Sequence, residues 1–361
     1  MKKLRVAVIG CGGISQIAHF PTYKKLDELA EIVAAADINP EHAQECKEKY
    51  QIPRIYSSAE EMLNKERPDA ISICTWNISH ADFAIRALNA GCHVLCEKPP
   101  AITVKDAERI CAAARASGKI LMYGFHYRYA PEVELLRKYI EADELGDVYA
   151  ARALFLRRRG IPGWGVFTNK ELQGGGALID IGVHALDTIL YLLGYPSPSY
   201  VLGTSYQEIG CREGVGLLGE WDWKNFNVDD MARGMITFEN GKSIILEAAF
   251  ACNIKEKEIL KLSLMGDRGG ADLFPVTLLN QDDTPLRIYG EKHGTLVDIT
   301  PVHYVDTSVS YHEREVTEFV HCCLENRQPY STPEQGVILQ KIICGLYQSA
   351  AERRPVDLRG I

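Results

Sequence analysis

The segment LRVAVIGCGGIS, residues 4–15, decides the fold of the first part of the chain. Its first six residues are apolar except for one arginine, as in a buried strand, and glycines follow at positions 10, 12 and 13. Gly10 permits a tight turn, and Gly12 lets the backbone approach a pyrophosphate at the N-terminus of the next helix. The alternative is a glycine-rich turn without a ligand. Because Ser15 stands where a third glycine or alanine is usual, we expect a slightly altered packing contact there.

Strands and helices alternate from this segment to about residue 125. Short apolar strands are expected at 31–36, 70–74, 93–96 and 120–123, with helical patterns between them. A helix is also expected over residues 14–26, with Pro21 interrupting or bending it. This alternation predicts an α/β domain with a parallel, doubly wound sheet, which is the Rossmann architecture.

The pattern changes after residue 125. Strands are expected at 148–155, 231–239, 243–251 and 258–265, and helices at 131–141, 180–193, 310–326 and 333–351. The sequence Glu239-Asn240-Gly241 is typical of a hairpin turn between two of these strands. We therefore expect a Rossmann domain over residues 1–125, and an α+β domain with a large, mainly antiparallel open sheet over residues 126–361.

The composition excludes several classes of protein. The 361 residues include 40 Lys and Arg against 48 Asp and Glu, and the formal charge of −8 argues against a polyanionic partner. No run of about eighteen uninterrupted apolar residues is present, so we expect no membrane span. The eleven cysteines include no Cys-x-x-Cys pair, and the apolar run after the basic start is too short for a signal peptide. These features predict reduced thiols and a cytoplasmic location.

An acidic residue, Asp37, ends the second strand. Its position is near the spacing of about twenty residues that follows a dinucleotide-binding glycine motif. Its carboxylate could accept hydrogen bonds from both adenosine ribose hydroxyls and would repel a 2′-phosphate. The next residue is Ile38 rather than an arginine. The sequence therefore predicts NAD in preference to NADP.

Two further motifs follow strands, at the sheet edge where ligands of such folds bind. Thr75, Asn77 and His80 come after the third strand and could face the cofactor. Alternatively, Asn77 and Ser79 only form the turn and cap the helix. The segment Glu97-Lys98-Pro99-Pro100 follows the next strand, and its prolines hold the lysine on a rigid segment. An ordinary surface lysine is the alternative.

A third motif combines three glycines with two titratable side chains. Gly174-Gly175-Gly176 would let the backbone pass close to another group, and Asp180 and His184 follow on one helix face. Such a pair suits acid–base chemistry, in which the imidazole transfers a proton and the carboxylate orients it. The pair could also ligate a metal, but a catalytic zinc needs a third ligand, so we expect no metal. A capped helix with a satisfied histidine is the remaining alternative.

Together these motifs resemble the Gfo/Idh/MocA family, the glucose–fructose oxidoreductase and inositol dehydrogenase group. The resemblance spans nearly the whole chain and implies hydride transfer between NAD(P) and a hydroxyl carbon of a sugar, cyclitol or related polyol. Matched by position, it implies catalytic roles for Lys98, Asp180 and His184. It implies cofactor contacts from Gly10, Gly12, Gly13, Ile14, Asp37, Thr75, Asn77, His80, Glu97, Lys98 and Arg128. Trp76 departs from the family pattern, where proline is usual, and could reshape the edge of the cofactor site.

Substrate contacts are expected from four residues of the second domain. Tyr127 lies in the segment that joins the domains, and Arg157, Arg158 and Trp164 follow the first strand of the second domain. An arginine could clamp a carboxylate or phosphate, and the indole could stack on a sugar ring. A solvated basic strand edge is the alternative for the arginines.

Several alternatives to a His184-dependent dehydrogenase stay open. The same scaffold can serve as a non-catalytic, nucleotide-sensing regulator, although such a protein would be expected to lose the lysine or the histidine. It can also use NAD transiently for glycoside cleavage or epimerisation. In a dehydrogenase, Lys98 could replace His184 as the main proton-transfer group. The resemblance further implies a homodimer or homotetramer with a small-molecule substrate, and we expect no nucleic-acid or membrane partner.

Overall fold

The computed structural model describes residues 3–279, 285–302 and 309–360. Contacts within the chain define two compact units. The first lies within Met1–His126 and Ser308–Val337, and the second lies within Tyr127–Thr307 and Ile338–Ile361. Each unit is built around its own β-sheet.

The first unit contains a six-stranded sheet in which all strand pairs are parallel. Its strands are β1 Leu4–Ile9, β2 Ala30–Ala36, β3 Arg54–Tyr56, β4 Ala70–Ile73, β5 His93–Glu97 and β6 Leu121–Gly124. In the sheet they lie in the order β3-β2-β1-β4-β5-β6. The order reverses between β1 and β4, so the carboxyl ends of these two strands border the crevice in which such sheets bind ligands. The predicted Rossmann architecture is confirmed.

The helices of this sheet follow the sequence signals closely, with one exception. They are α1 Phe20–Lys25, α2 Pro40–Tyr50, α3 Ala59–Glu66, α4 His80–Asn89 and α5 Val104–Ser117. At the start of α2, the Asn39 side chain accepts the Glu41 backbone N–H at 2.9 Å. The exception is the first helix, in which a π-helical turn, Ser15–His19, precedes α1. This turn places Pro21 in the first turn of α1, where its missing N–H requires no partner.

The second unit contains a nine-stranded sheet. Its strands are β7 Val148–Arg157, β8 Pro198–Tyr206, β9 Met231–Phe238, β10 Ser243–Ala249, β11 Glu258–Gly266, β12 Gly269–Leu273, β13 Leu286–Lys292, β14 Thr295–Ile299 and β15 Val356–Asp357. They lie in the order β14-β13-β12-β11-β7-β10-β9-β8-β15, and β7 with β10 is the parallel pair in an otherwise antiparallel sheet of described strands. The predicted mainly antiparallel sheet is confirmed. Strands such as β12 were not predicted, because an opening Gly269-Gly270 provides no side chains to alternate.

Helices cover one face of this sheet. They include α6 Pro131–Glu141, α7 Lys170–Gln173 and α8 Val183–Leu192. A π-helical turn, Leu178–Gly182, precedes α8, where the sequence predicts regular helix from residue 180. A Cβ on Gly182 would lie 2.9 Å from the Cβ of Ala248 in β10, so this turn packs directly on the sheet. The stretch Lys170–Leu192 is apolar and long enough to cross a membrane by composition, yet 94% of its apolar window is buried, as in a core helix.

Two long helices complete the described chain. They are α9 Tyr311–Glu325 and α10 Pro333–Glu352. The helix α9 contacts β1, β5, α1 and the π-helical turn before α1, so its contacts group it with the first sheet. The boundary predicted from the sequence, at residue 125, assigns α9 to the second domain, whereas the contacts of α9 group it with the first unit. The difference arises because α9 buries its apolar face, including Val316 and Phe319, against elements far away in the sequence.

Candidate active site

The glycine loop after β1 is shaped by close backbone packing on one side and open space on the other. Gly10 has φ +97°, and a Cβ there would lie 2.4 Å from the carbonyl oxygen of Cys74, just beyond β4. A Cβ on Gly12 or Gly13 would meet nothing within 4 Å. Only glycine therefore fits at position 10, while the two later glycines leave room beside the half-buried Ile14 at the start of the helix.

Asp37 lies next to this loop at the carboxyl end of β2. One carboxylate oxygen accepts the Cys11 N–H at 2.6 Å, and the other accepts the Asn39 N–H at 2.7 Å. These two bonds fix the carboxylate while leaving further acceptor positions on each oxygen. The exposed Ile38 follows it. A helix N-terminus, an uncrowded glycine loop and a fixed carboxylate fit the pyrophosphate and the ribose of a dinucleotide.

The turn after β4 carries Thr75, Asn77 and His80, which are half-buried or buried. Thr75 is half-buried, and its hydroxyl is hydrogen-bonded to that of Ser79 at 2.7 Å. Asn77 is buried in the short 3₁₀ turn before α4. His80 is fully buried, with ring nitrogens 2.8 Å from the Pro99 carbonyl and 3.1 Å from the Thr75 carbonyl. The His80 ring therefore connects the two strand-end turns, and its cofactor contact stays a prediction.

The turn after β5 carries Lys98 and is held by a buried network. Glu97 accepts the Lys98 backbone N–H at 3.3 Å, and its carboxylate lies 3.0 Å from Nε2 of His19. Nδ1 of His19 lies 3.1 Å from the Ser72 hydroxyl, which is also hydrogen-bonded to Tyr23. The network connects the first helix to the lysine turn. Sequence reasoning missed His19, since a histidine inside an apolar helix carries no local signal of its partner.

The charge on Glu97 is stabilised by this network. Burial alone would raise the pKa of its carboxyl, but the hydrogen bond from His19 and the nearby charges of His19, His312 and Lys98 lower it below the ordinary value. A Cβ on Gly124 would lie about 3 Å from the same carboxylate, so the next strand end is in contact with it. Glu97 is thus a buried anion beside the half-buried Lys98.

In the second unit, the three glycines allow close packing against two specific groups. Gly174 ends α7 with φ +82°. A Cβ on Gly175 would lie 2.2 Å from the Tyr347 hydroxyl, and a Cβ on Gly176 would lie 2.0 Å from the Asp229 carbonyl oxygen. The close approach predicted for this loop is therefore to the protein itself.

Asp229 provides the N-terminal cap of the helix that follows. Its carboxylate accepts the N–H groups of Gly176 at 2.7 Å and Leu178 at 3.0 Å, and its carbonyl accepts that of Ala177 at 3.0 Å. The Tyr347 hydroxyl donates to the same carboxylate at 2.8 Å. Sequence reasoning missed both residues. All three of these backbone N–H groups at the start of the helix are therefore hydrogen-bonded to Asp229.

This capped segment carries the two predicted acid–base residues. Asp180 lies in the π-helical turn and His184 in the first turn of α8, and each is only 8% exposed. The Tyr127 ring meets the His184 imidazole edge-on, with centroids 5.5 Å apart and an angle of 85°. Burial and the nearby Glu258 raise the pKa of Tyr127, so its hydroxyl stays protonated. The structure therefore brings Tyr127 and His184 into contact.

Arg128 makes buried contacts within the second unit. Its guanidinium is fully buried and donates to both carboxylate oxygens of Asp187, from Nε at 2.9 Å and from Nη2 at 2.6 Å. Nη2 also donates to the Tyr195 hydroxyl at 2.8 Å. This guanidinium ties the joining segment to α8, and its cofactor contact stays a prediction.

Arg157 at the end of β7 and Arg158 just beyond it lie in different environments. Arg157 is buried and donates from Nε to Glu258 at 2.6 Å, so its charge is compensated within the protein. Because β7 lies at the centre of the sheet, a solvated basic edge is also excluded for this residue. Arg158 is exposed. Trp164 is 52% exposed and meets Phe167 edge-on, which leaves an indole face open to a ligand.

Comparisons with known proteins agree with this organisation. Residues 4–125 match the NAD-binding Rossmann fold of an oxidoreductase family, and residues 137–358 match the C-terminal alpha/beta domain of the same family. The fold and these matches define an NAD-binding oxidoreductase. The chain belongs to the Gfo/Idh/MocA family, and the resemblance found in the sequence is confirmed.

Individual relatives cover most of the chain. It is 40% identical to D-glucoside 3-dehydrogenase of Escherichia coli (strain K12), over 98% of this chain and 97% of that one. It is 30% identical to levoglucosan dehydrogenase of Pseudarthrobacter phenanthrenivorans, over 69% of this chain and 68% of that one. A solved levoglucosan dehydrogenase in complex with NADH and levoglucosan aligns with a TM-score of 0.84 at 23% identity, over 99% of this chain and all of that one. This structural similarity establishes the common fold.

Proposed function

We propose that this protein is an NAD-dependent dehydrogenase that oxidises the secondary hydroxyl at C3 of a D-glucoside. The observation that carries the proposal is the similarity to D-glucoside 3-dehydrogenase, which extends over 98% of this chain at 40% identity. The capped helix with Asp180 and His184 supports it, because oxidation of an alcohol requires a group that accepts the hydroxyl proton.

The chain's own residues would handle the proton and the developing charge. NAD, when bound at the glycine loop and Asp37, supplies the hydride acceptor. His184 takes the hydroxyl proton, since a neutral imidazole accepts a proton near neutral pH. Asp180 orients the imidazole, and Lys98 stabilises the negative charge that develops on the substrate oxygen.

The cofactor preference follows from Asp37. A fixed carboxylate at the end of β2 accepts hydrogen bonds from ribose hydroxyls and repels a 2′-phosphate. The neighbouring side chain is the exposed Ile38, which offers no positive charge to a phosphate. We therefore propose NAD over NADP.

We propose a homo-oligomer formed through the open face of the nine-stranded sheet. Leu202, Met235 and Ile245 are neighbours in register across β8, β9 and β10, and they are 49%, 44% and 41% exposed. Adjacent exposed apolar side chains of this kind are typical of a protein interface. A cytoplasmic location is supported by the cysteines, since all eleven are free thiols.

A substrate screen tests the proposed function. The purified protein is incubated with NAD or NADP and with methyl D-glucosides, free aldoses, cyclitols or uronates. We expect NADH to accumulate with the methyl glucosides, and NMR to identify a 3-keto product. If no NADH forms with any of the neutral glucosides, the proposal is contradicted. Glycoside cleavage or epimerisation without net NADH would instead favour the redox-neutral alternative.

His184→Ala tests the assignment of the base in the same assay. We expect a loss of turnover of about a hundred- to ten-thousandfold with NADH binding retained, because a positioned acid–base group contributes that much. Near-normal turnover of the variant would transfer the role to another group. The pH dependence of turnover by the Lys98→Met variant is measured in the same assay. It distinguishes proton transfer by Lys98 from stabilisation of negative charge by Lys98.

A further inference from the structure

We infer that Arg159 is a substrate-binding residue that donates hydrogen bonds to oxygen atoms of the glycoside. The inference rests on the proposed function and deepens it. Of the three consecutive arginines at the end of β7 and just beyond it, Arg159 was the one without an expected role. Its Nη1 is buried, yet within the described residues it meets no hydrogen-bond acceptor.

The partners of its neighbours explain why Arg159 stands apart. Arg157 is committed to the buried Glu258 at 2.6 Å. Arg158 is exposed, and its Nη1 reaches only the Lys255 carbonyl, at 3.5 Å. No carboxylate of the described chain lies within ion-pair distance of the Arg159 guanidinium. A half-buried cation with a buried, unused donor is costly unless another group satisfies it.

Arg159 lies just beyond the end of β7, and the helix that carries Asp180 and His184 packs on one face of this strand and its neighbour β10. Phe155 pairs with Ala248, and the π-helical turn before α8 packs on Ala248 through Gly182. Side chains two residues apart along a strand share a face, so Arg157, the last residue of β7, continues the face of Phe155, and Arg159 follows two residues later. The face that Arg157 continues is the one on which the segment with Asp180 and His184 packs.

An electrostatic interaction relates this strand end to Tyr127, the ring neighbour of His184. The charge of Arg157 acts on the hydroxyl of Tyr127, and the Tyr127 ring is edge-on to His184. His184 is thus connected through Tyr127 and Arg157 to the end of β7, and Arg159 lies two residues beyond that end. An unpaired guanidinium at this end suits a substrate rich in oxygen acceptors.

The backbone around Arg159 is fixed, as recognition of a sugar requires. Its carbonyl accepts the Leu217 N–H at 2.6 Å, and the N–H of Gly160 donates to the Phe250 carbonyl at 2.8 Å. A Cβ on Gly160 would lie 2.5 Å from Cδ of Arg157, so the backbone at Gly160 packs closely against the Arg157 side chain. A guanidinium on such a support presents a planar set of donors to hydroxyl or carboxylate oxygens without reorganisation.

Steady-state kinetics of Arg159→Met and Arg159→Lys test the inference, with methyl D-glucoside and methyl D-glucuronide as substrates. We expect KM of Arg159→Met to rise about ten- to a hundredfold, as for loss of a hydrogen bond from a charged group, and kcat to change much less. Arg159→Lys restores part of the loss. The dissociation constant for NADH and the melting temperature stay near wild-type values. An effect on both substrates indicates hydroxyl recognition, and an effect on the glucuronide alone indicates carboxylate recognition.

Lys255→Met is the matched control, because it removes an exposed cation beside the same strand end. It should leave KM unchanged. The inference is overturned if Arg159→Met keeps KM within about twofold of wild type for both substrates, or if Arg158→Met raises KM instead. If the wild type reduces NAD with neither substrate, the proposed function and this inference both fail. An active wild type with an unaffected Arg159→Met variant overturns only the role of Arg159.

Discussion

Asp229 and Gly176 are in contact through both side chain and backbone. The Asp229 carboxylate accepts the Gly176 N–H at 2.7 Å, and the Asp229 carbonyl leaves no room for a Cβ on Gly176. Because the same carboxylate also accepts the Leu178 N–H, the helix that carries Asp180 and His184 can begin in only one place. The predicted acid–base pair is thus positioned by a residue about fifty positions further along the chain.

Replacing Asp229 removes this cap. We expect Asp229→Ala to lower the free energy of unfolding by about 2 kcal/mol, because two backbone donors and the Tyr347 hydroxyl lose their acceptor. Chemical denaturation measures the change. Asp222→Ala, at an exposed turn, is the control and should change the stability by less than about 0.5 kcal/mol. Equal stability of the two variants would show that the cap is dispensable.

The Arg128–Asp187 pair gives a second prediction. Asp187→Leu leaves a guanidinium buried without its counter-charge, and we expect a loss of about 3–5 kcal/mol in unfolding free energy. The double variant Arg128→Leu/Asp187→Leu should be more stable than this single variant, since no lone charge is left. The exposed Arg212–Glu208 pair serves as control, and its removal should cost no more than about 1 kcal/mol. A double variant less stable than Asp187→Leu would contradict the prediction.

His93 predicts a pH dependence of stability. Its Nδ1 accepts the Ile120 N–H at 3.1 Å, and burial together with the charge of Lys119 lowers its pKa to about 4. The unfolded chain takes up a proton near pH 6.5 while the folded ring stays neutral, so stability falls as the pH drops from about 6.5 to about 4. The ring is half-buried, and with solvent screening we expect a contribution on the order of 1 kcal/mol.

Urea denaturation between pH 4 and pH 7 measures this contribution. His93→Gln should remove the part of the pH dependence that lies in this window. The control His42→Gln, at an exposed position of α2, should leave it in place. An unchanged pH profile for His93→Gln would mean that other groups account for the loss of stability.

The carboxylate of Asp37 leads to a prediction about the preference for NAD over NADP. We expect Asp37→Ser combined with Ile38→Arg to weaken NAD binding and to improve NADP binding, because the carboxylate that repels a 2′-phosphate is replaced by a cation that attracts it. Fluorescence titration with NADH and NADPH measures both dissociation constants. Asp27→Ser, an exposed acidic residue of the same unit, is the control. A wild-type protein that binds both cofactors equally well would contradict the role of Asp37.

Local spacing made part of the fold and of the site predictable. The glycine loop, the acidic end of β2 and the segment from the three glycines to His184 are encoded within a few residues or one strand–helix unit, so pattern and propensity suffice. The same holds for the capped start of α2 and for the hairpin between β9 and β10. Each of these features depends on neighbours in sequence.

The missing part depends on contacts between distant residues. His19 meets Glu97 across 78 positions, Arg157 meets Glu258 across 101, and Asp229 meets Tyr347 across 118. A single sequence does not show which carboxylate compensates which cation, so Arg157 was expected to face a ligand. The unused donor of Arg159 is visible only after these pairs are known.

Transfer of an isotope tests the central claim most directly. A methyl D-glucoside with deuterium at C3 is oxidised with NAD by the purified protein, and the nicotinamide and sugar products are analysed by NMR and mass spectrometry. We predict that the deuterium appears on the nicotinamide of the reduced cofactor in a one-to-one ratio with the 3-keto glycoside. Deuterium that remains on the sugar, or that is lost to solvent without reaching the cofactor, would contradict hydride transfer from C3.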